Sequence, residues 1–158
     1  PATPAAPPPP LRELTGDSLE PPPSAVWLQT EWRLEGGVEL LRGHVPNAAE
    51  LLAGAGSAPS EAAAAASDLL PGEYEGGFKL WECASDLAAF LHARSGVLPV
   101  RGARVLELGC GHALPSLAAL QLGAREAALL DYNDVVLTAL TARNVDANVR
   151  AWGREGAP

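Results

Sequence analysis

The sequence predicts an α/β fold built on a parallel sheet, and three observations in its second half carry that prediction. "RVLEL" at 104–108 is an apolar run ending in the acidic, glycine-spaced turn "ELGCG", and "EAALL" at 126–130 is a second such run. Between them lies a helical stretch over about 114–122, with Pro115 in its first turn and Gly123 just past its end. A further helix is predicted over about 134–149, with Asn133 or Asp134 as N-cap. Strand, helix, strand and helix with short links require parallel pairing.

The elements before this unit are less regular. Residues 1–25, with "PPPP" at 7–10 and "PPP" at 21–23, predict a disordered, extended leader that cannot pack a core, though such runs also dock on aromatic grooves. Residues 26–67 form an N-terminal extension. In it "VWLQTEWRLEGGVELLRG" suggests a hairpin or short strand pair turning at Gly36 and Gly37, with Trp27 and Trp32 as packing residues. "AGAGSAPSEAAAAA" at 53–66 is a flexible linker or a marginal helix. From residue 68, Pro71, Gly72, Gly76 and Gly77 punctuate a loop, and a helix follows from about Glu82 to Arg94, ending before Gly96.

Composition narrows the function. A chain of 158 residues, 47% hydrophobic, suits one domain. A net charge of -8 with 11 Lys and Arg argues against a nucleic-acid surface. Cys83 and Cys110, without a signal-peptide pattern, fit a reducing, intracellular setting. His44, His92 and His112 have no metal-ligand spacing, and no apolar run approaches the roughly 20 residues that cross a bilayer. The chain starts at Pro1 and contains no Met, so a processed or partial chain is expected.

Ligands of parallel α/β folds sit outside the carboxyl ends of the strands, where this chain places Glu107, Gly109, Gly111 and Asp131. Glycines let the backbone approach a ligand, and an acid at the end of the next strand can accept ribose hydroxyls. The dinucleotide fingerprint needs a third glycine where Leu114 stands. Glu107 would repel a pyrophosphate but suits an ammonium group. An adenosyl ligand with an amino-acid tail, a sulfonium and no phosphate meets these demands, and that ligand is S-adenosylmethionine.

"DLLPGEYEGGFKLWECASDLAAFL", "VLELGCGHALPSL", "LLDYNDVVL" and "NVDANV", over about residues 68–149, resemble the histidine protein methyltransferase family, relatives of the protein-lysine methyltransferases. The resemblance implies a Rossmann-like class I methyltransferase fold, of which residues 68–158 would be the cofactor-binding N-terminal half. It implies that Gly109, Cys110 and Gly111 cradle the cofactor and that Glu107 lies near its amino group. Asp131 would be the ribose acid, with Tyr132 and Asn133 along the adenosine edge. Trp81 would border the cofactor, flanked by Lys79, Leu80, Glu82 and Cys83. The family acts on a histidine of a large-subunit ribosomal protein in cytosol and nucleus; a monomer with no membrane or direct nucleic-acid partner is expected. No catalytic residue is assigned, because the substrate elements would follow "NVDANV". Such a half-domain is expected to bind cofactor weakly and not to turn over.

Other roles are available to the same residues. Cys110 can simply fill the turn, His112 can serve a helix start or the surface, and Cys83 and His92 can be helix-face residues. Glu82 can be a first-turn charge, Trp81 a core residue, and Asn144 and Asn148 supports for the helix and its neighbours. A lysine methyltransferase, or a non-catalytic chain binding a partner through its N-terminal region, are the alternative functions.

Overall fold

The computed structural model describes residues 20–33, 39–54, 69 and 74–155. Two two-stranded sheets and the helices around them make a mixed α/β fold. β1 (Leu28–Arg33) and β2 (Glu39–His44) form the expected antiparallel hairpin, with Leu28 opposite His44 and Gln29 opposite Gly43. Its turn at Gly36 and Gly37, residues 1–19 of the leader, residues 55–66 of the linker, and Pro71 and Gly72 of the loop that follows lie outside the described residues.

The end of the leader departs from its reading as an unpacked tail. Ala25 N–H donates to Pro22 O at 2.8 Å, Asn47 Nδ2 donates to Ser24 O at 2.8 Å, and Ala25 packs on a core cluster. The proline-set turn brings a small apolar residue onto the core. Helix α1 (Ala48–Gly54) follows the hairpin and buries Leu51 and Leu52.

α2 (Glu82–Ala93) ends at Arg94, before Gly96, as predicted. β3 (Arg104–Leu108) and β4 (Glu126–Leu130) pair in parallel, Glu107 opposite Leu129, with α3 (Leu114–Gln121) as the crossover. α3 is apolar nearly all round because it is enclosed: every residue from Leu114 to Ala119 is buried. Along β3, Val105 and Glu107 are half-buried, whereas Arg104, Leu106 and Leu108 are exposed.

The last helix is not the single regular helix predicted. It runs as α4 (Asp134–Val136), a π-helical segment (Leu137–Thr141) and α5 (Ala142–Glu155). The π turn coincides with a tertiary bond, Thr141 Oγ1 donating to Gly111 O at 2.6 Å. Asn133 occupies the N-cap position, but its side chain does not cap; Oδ1 instead accepts from Glu75 N–H at 3.4 Å.

Two apolar clusters hold these parts together. Val45, Leu51, Leu52, Tyr74, Val135, Val136, Ala139 and Leu140 join the extension to the last helix, with Trp27 and Phe78 packed against them. Leu40, Ala88, Leu114, Leu117 and Ala118 join β2, α2 and α3, with Leu80 and Val145 alongside. Among the described residues no helix is long and apolar enough to cross a membrane, and no group of three or more His, Cys, Asp or Glu could hold a metal ion.

Candidate functional site

The turn after β3 is built from alternate left-handed residues. Gly109, Gly111 and Ala113 have φ of 65°, 43° and 59°. The two glycines adopt this conformation without strain, as anticipated; Ala113 does so at a cost of about 1–2 kcal/mol. Cys110 N–H donates to Leu130 O at 2.9 Å, which carries the parallel pairing two residues past β3.

Room for a ligand exists at one glycine and not at the other. A Cβ on Gly111 would stand 3.0 Å from Gly77 O, whereas a Cβ on Gly109 would meet nothing within 4 Å among the described residues. Gly109 therefore has an open approach, and Gly111 is required by a neighbouring loop. That loop is the "EGGF" segment. A Cβ on Gly77 would lie 2.8 Å from Val136 Cγ1 and 3.1 Å from Asp131 Oδ1. Its two glycines read from sequence only as loop punctuation, yet Gly77 is what lets the loop lie on the turn. Trp81 Nε1–H donates to Gly76 O at 3.1 Å and Lys79 Nζ stands 4.9 Å from the Trp81 ring centroid, so Trp81 is tied to the same loop.

Two half-buried carboxylates flank the turn. Asp131 Oδ2 accepts from Gly111 N–H at 2.8 Å and Oδ1 from Asn133 N–H at 3.3 Å. Glu107 Oε2 accepts from Ser116 N–H at 3.0 Å, serving the start of α3, whose N-cap Ala113 has no side chain able to do so. Burial raises the pKa of Glu107, opposed by its hydrogen bonding from Ser116, with Asp131 adding to the rise. Burial likewise raises Asp131, against the backbone N–H groups of Gly111, Asn133 and Tyr132. Each carboxylate has more acceptor sites than these bonds use. A ligand bringing positive charge or hydroxyl donors would relieve the burial; a phosphate would worsen it.

The two ionisable residues inside the turn are not reactive groups. Cys110 is 3% exposed, and burial, then the charges of Asp131 and Glu107, push its thiol up to about 12, so it fills the turn. His112 sits at the helix start, but the surface role is wrong: it is 3% exposed, with a ring nitrogen against the Phe78 carbonyl. Its Nε2 lies 3.2 Å from Phe78 O, which places the proton on Nε2, and burial pushes its pKa down to about 4. It is a neutral structural imidazole, and its Nδ1 is buried without a hydrogen-bond partner.

The remaining residues divide. Tyr132 is exposed beside Asp131, and Asn133 is buried with its amide directed to Glu75. Leu80 packs on the second apolar cluster. Glu82 and Cys83 are exposed in the first turn of α2, and no hydrogen bond or ion pair joins them to the turn among the described residues. His92 is half-buried in the last turn of that helix. Asn144 and Asn148 are buried supports, as expected. Ala113, Ser116, Gly77 and Thr141 shape the site and were not singled out from sequence. Their common signal is proximity in space, apart from the doubled glycine of "EGGF".

No protein-family model matches the sequence. Among curated proteins, the chain is 45% identical over 87 residues to the rat (Rattus norvegicus) histidine protein methyltransferase 1 homolog, covering 55% of this chain and 24% of that protein. It is 48% identical over 82 residues to the Bos taurus homolog, covering 52% and 21%. A more distant match, 33% over 81 residues, covers 51% of this chain and 29% of a Yarrowia lipolytica protein N-terminal and lysine N-methyltransferase. The chain spans about a quarter of the length of the histidine methyltransferase relatives it matches. Over about half of its own length, then, this chain is similar to the histidine protein methyltransferases.

Proposed function

We propose that the turn at 109–113 is the seat for S-adenosylmethionine in a Rossmann-like class I protein methyltransferase whose acceptor is a histidine. The open approach at Gly109 between two carboxylates with raised pKa carries this reading. When bound, S-adenosylmethionine supplies an electrophilic methyl on a sulfonium. Gly109 leaves room for the amino-acid tail, Glu107 offers a carboxylate to its ammonium, and Asp131 offers acceptor sites to ribose hydroxyls. Cys110 stays a neutral thiol out of the reaction's way. Trp81 and Lys79 border the same opening from the 74–81 loop, and Tyr132 and Asn133 continue it past Asp131. Leu80, Glu82 and Cys83 have weaker support, because the first is in the core and the others face solvent.

Neutral imidazole is a competent nucleophile near neutral pH, so transfer to histidine needs alignment and exclusion of water more than a base. His112 is no candidate for such a base, since burial and its bond to Phe78 O commit it. An acceptor on a large-subunit ribosomal protein, and action in cytosol and nucleus, rest on the family resemblance alone. The Yarrowia lipolytica relative favours a second reading, transfer to lysine. The two separate in one assay. The protein is incubated with methyl-labelled S-adenosylmethionine and ribosomal proteins, and the labelled residue is identified after hydrolysis. Label on histidine would support the proposal and label on lysine would select the second reading. Absence of label is the outcome expected of a half-domain, and the seat is then tested by binding of S-adenosylmethionine alone, whose absence would count against both.

A further inference from the structure

Asn144 is fully buried between the hairpin, some hundred residues before it in sequence, and the turn. Its Oδ1 accepts from Gly43 N–H at 2.7 Å and from Trp27 Nε1–H at 3.2 Å. Its Nδ2 donates to His112 O, inside the turn, at 3.1 Å. One helical turn further, Asn148 Oδ1 accepts from Leu41 N–H at 2.9 Å while Nδ2 donates to Leu41 O at 2.6 Å and to Asn144 O at 2.7 Å. One turn earlier, Thr141 Oγ1 donates to Gly111 O. Residues 141, 144 and 148 share one helix face, because their spacing is three and then four.

The geometry of this face matches the edge of β2. Four residues of helix rise about 6 Å. Two residues of strand, the distance from Leu41 to Gly43, span about 6.8 Å. Side-chain amides one helical turn apart can thus meet alternate peptides of the strand, and they take the place of a neighbouring strand on that edge. Trp27 closes the contact: a Cβ on Gly43 would lie 2.1 Å from its Nε1, so the indole fills the space a side chain there would take, with its N–H toward Asn144.

The other end of the face reaches a turn with little tolerance. Residues 109, 111 and 113 are all left-handed there, one of them an alanine, and the buried carbonyls of Gly111 and His112 need partners to hold that shape. Thr141 and Asn144 supply one each.

We propose that the N-terminal hairpin sets the shape of the ligand turn through Asn144, which makes Trp27, Gly43 and Asn144 positioning residues for whatever the turn binds. The proposal rests on the S-adenosylmethionine reading for its ligand, but the coupling itself concerns the protein's own hydrogen bonds.

Trp27→Phe tests it in the full chain, since it removes one donor to Asn144 and touches neither the turn nor the opening at Gly109. Amide exchange of the 109–116 segment is expected to speed about fivefold or more, and the S-adenosylmethionine Kd to rise by a similar factor. The control is wild type brought by urea to the same global stability, which separates specific loosening of the turn from general loss of fold. Asn144→Asp gives the complementary test. It keeps the acceptors for Gly43 and Trp27 but loses the donor to His112, so exchange should rise in the turn while the hairpin stays protected. Turn exchange and Kd in Trp27→Phe equal to those of the urea-matched wild type would overturn the coupling. Coupled exchange in a wild type that does not bind S-adenosylmethionine would instead overturn the ligand reading, and the positioning role with it.

Discussion

On one face of the β3–β4 sheet, α3 buries every residue from Leu114 to Ala119; on the other, Leu106 and Leu108 stand 62% and 72% exposed. The polar atoms of the turn are held by partners other than these two leucines. Asp131 and Thr141 bond Gly111, Asn144 bonds His112, and Gly77 packs on Gly111. None of these contacts involves Leu106 or Leu108, so changes of similar chemistry in the turn and on the outer face should have unequal effects.

The largest expected effect lies on the covered side and depends on pH. His112 has a folded pKa near 4 against 6.5 unfolded, so the unfolded chain binds more protons as pH falls between these values. Stability present above pH 6.5 is lost as pH drops toward 4, by about 3 kcal/mol at most. Glu107 and Asp131 work in the opposite sense, so the difference from His112→Gln isolates the imidazole. Urea unfolding of both proteins at the two pH limits should show curves that converge in acid; parallel pH dependences would contradict the buried neutral ring.

Next come the two glycines. Gly111→Ala brings a left-handed alanine and a Cβ 3.0 Å from Gly77 O, and should cost about 2 kcal/mol or more in denaturant unfolding. Gly109→Ala meets open space and should cost only about 1 kcal/mol, from its positive φ, while abolishing ligand binding. Equal losses of stability would remove the distinction between a packed glycine and a ligand glycine.

A smaller effect of opposite sign is expected at Glu107. Its raised pKa means that the folded state is favoured below the unfolded pKa and that this advantage is lost as pH rises through the folded value. Glu107→Gln keeps an acceptor for Ser116 N–H, so thermal unfolding should show it more stable than wild type at pH 7 and not at pH 4. A variant less stable at both would show that the charge supports the fold itself. The smallest effect belongs to the outer face: Leu108→Ser should change stability by less than about 0.5 kcal/mol. A loss near 2 kcal/mol would mean that this face is covered in solution.

The sequence was legible wherever local rules dominate. β3, β4 and the start and end of α2 and α3 follow from apolar runs bounded by Gly and Pro, and Glu107 and Asp131 from their places at strand ends. What it hid depends on distant neighbours. Ala113 is left-handed although nothing in alanine favours it. The π segment coincides with the Thr141 bond to a carbonyl thirty residues away, and His112 is buried with its ring bonded to the Phe78 carbonyl. Asn133 occupies the N-cap position that the sequence offered, but its side chain bonds the 74–81 loop. Asn144 and Asn148 were legible as supports, but what they support became clear only with the hairpin edge in place.

The most direct test of the turn as ligand seat is titration of the isotope-labelled chain with S-adenosylmethionine, followed by backbone amide resonances. Saturable shifts should centre on Gly109, Cys110, Gly111 and Tyr132 and disappear in Asp131→Ala, while Leu108→Ser titrates like wild type. Shifts that do not saturate, or that centre elsewhere and survive Asp131→Ala, would contradict the assignment.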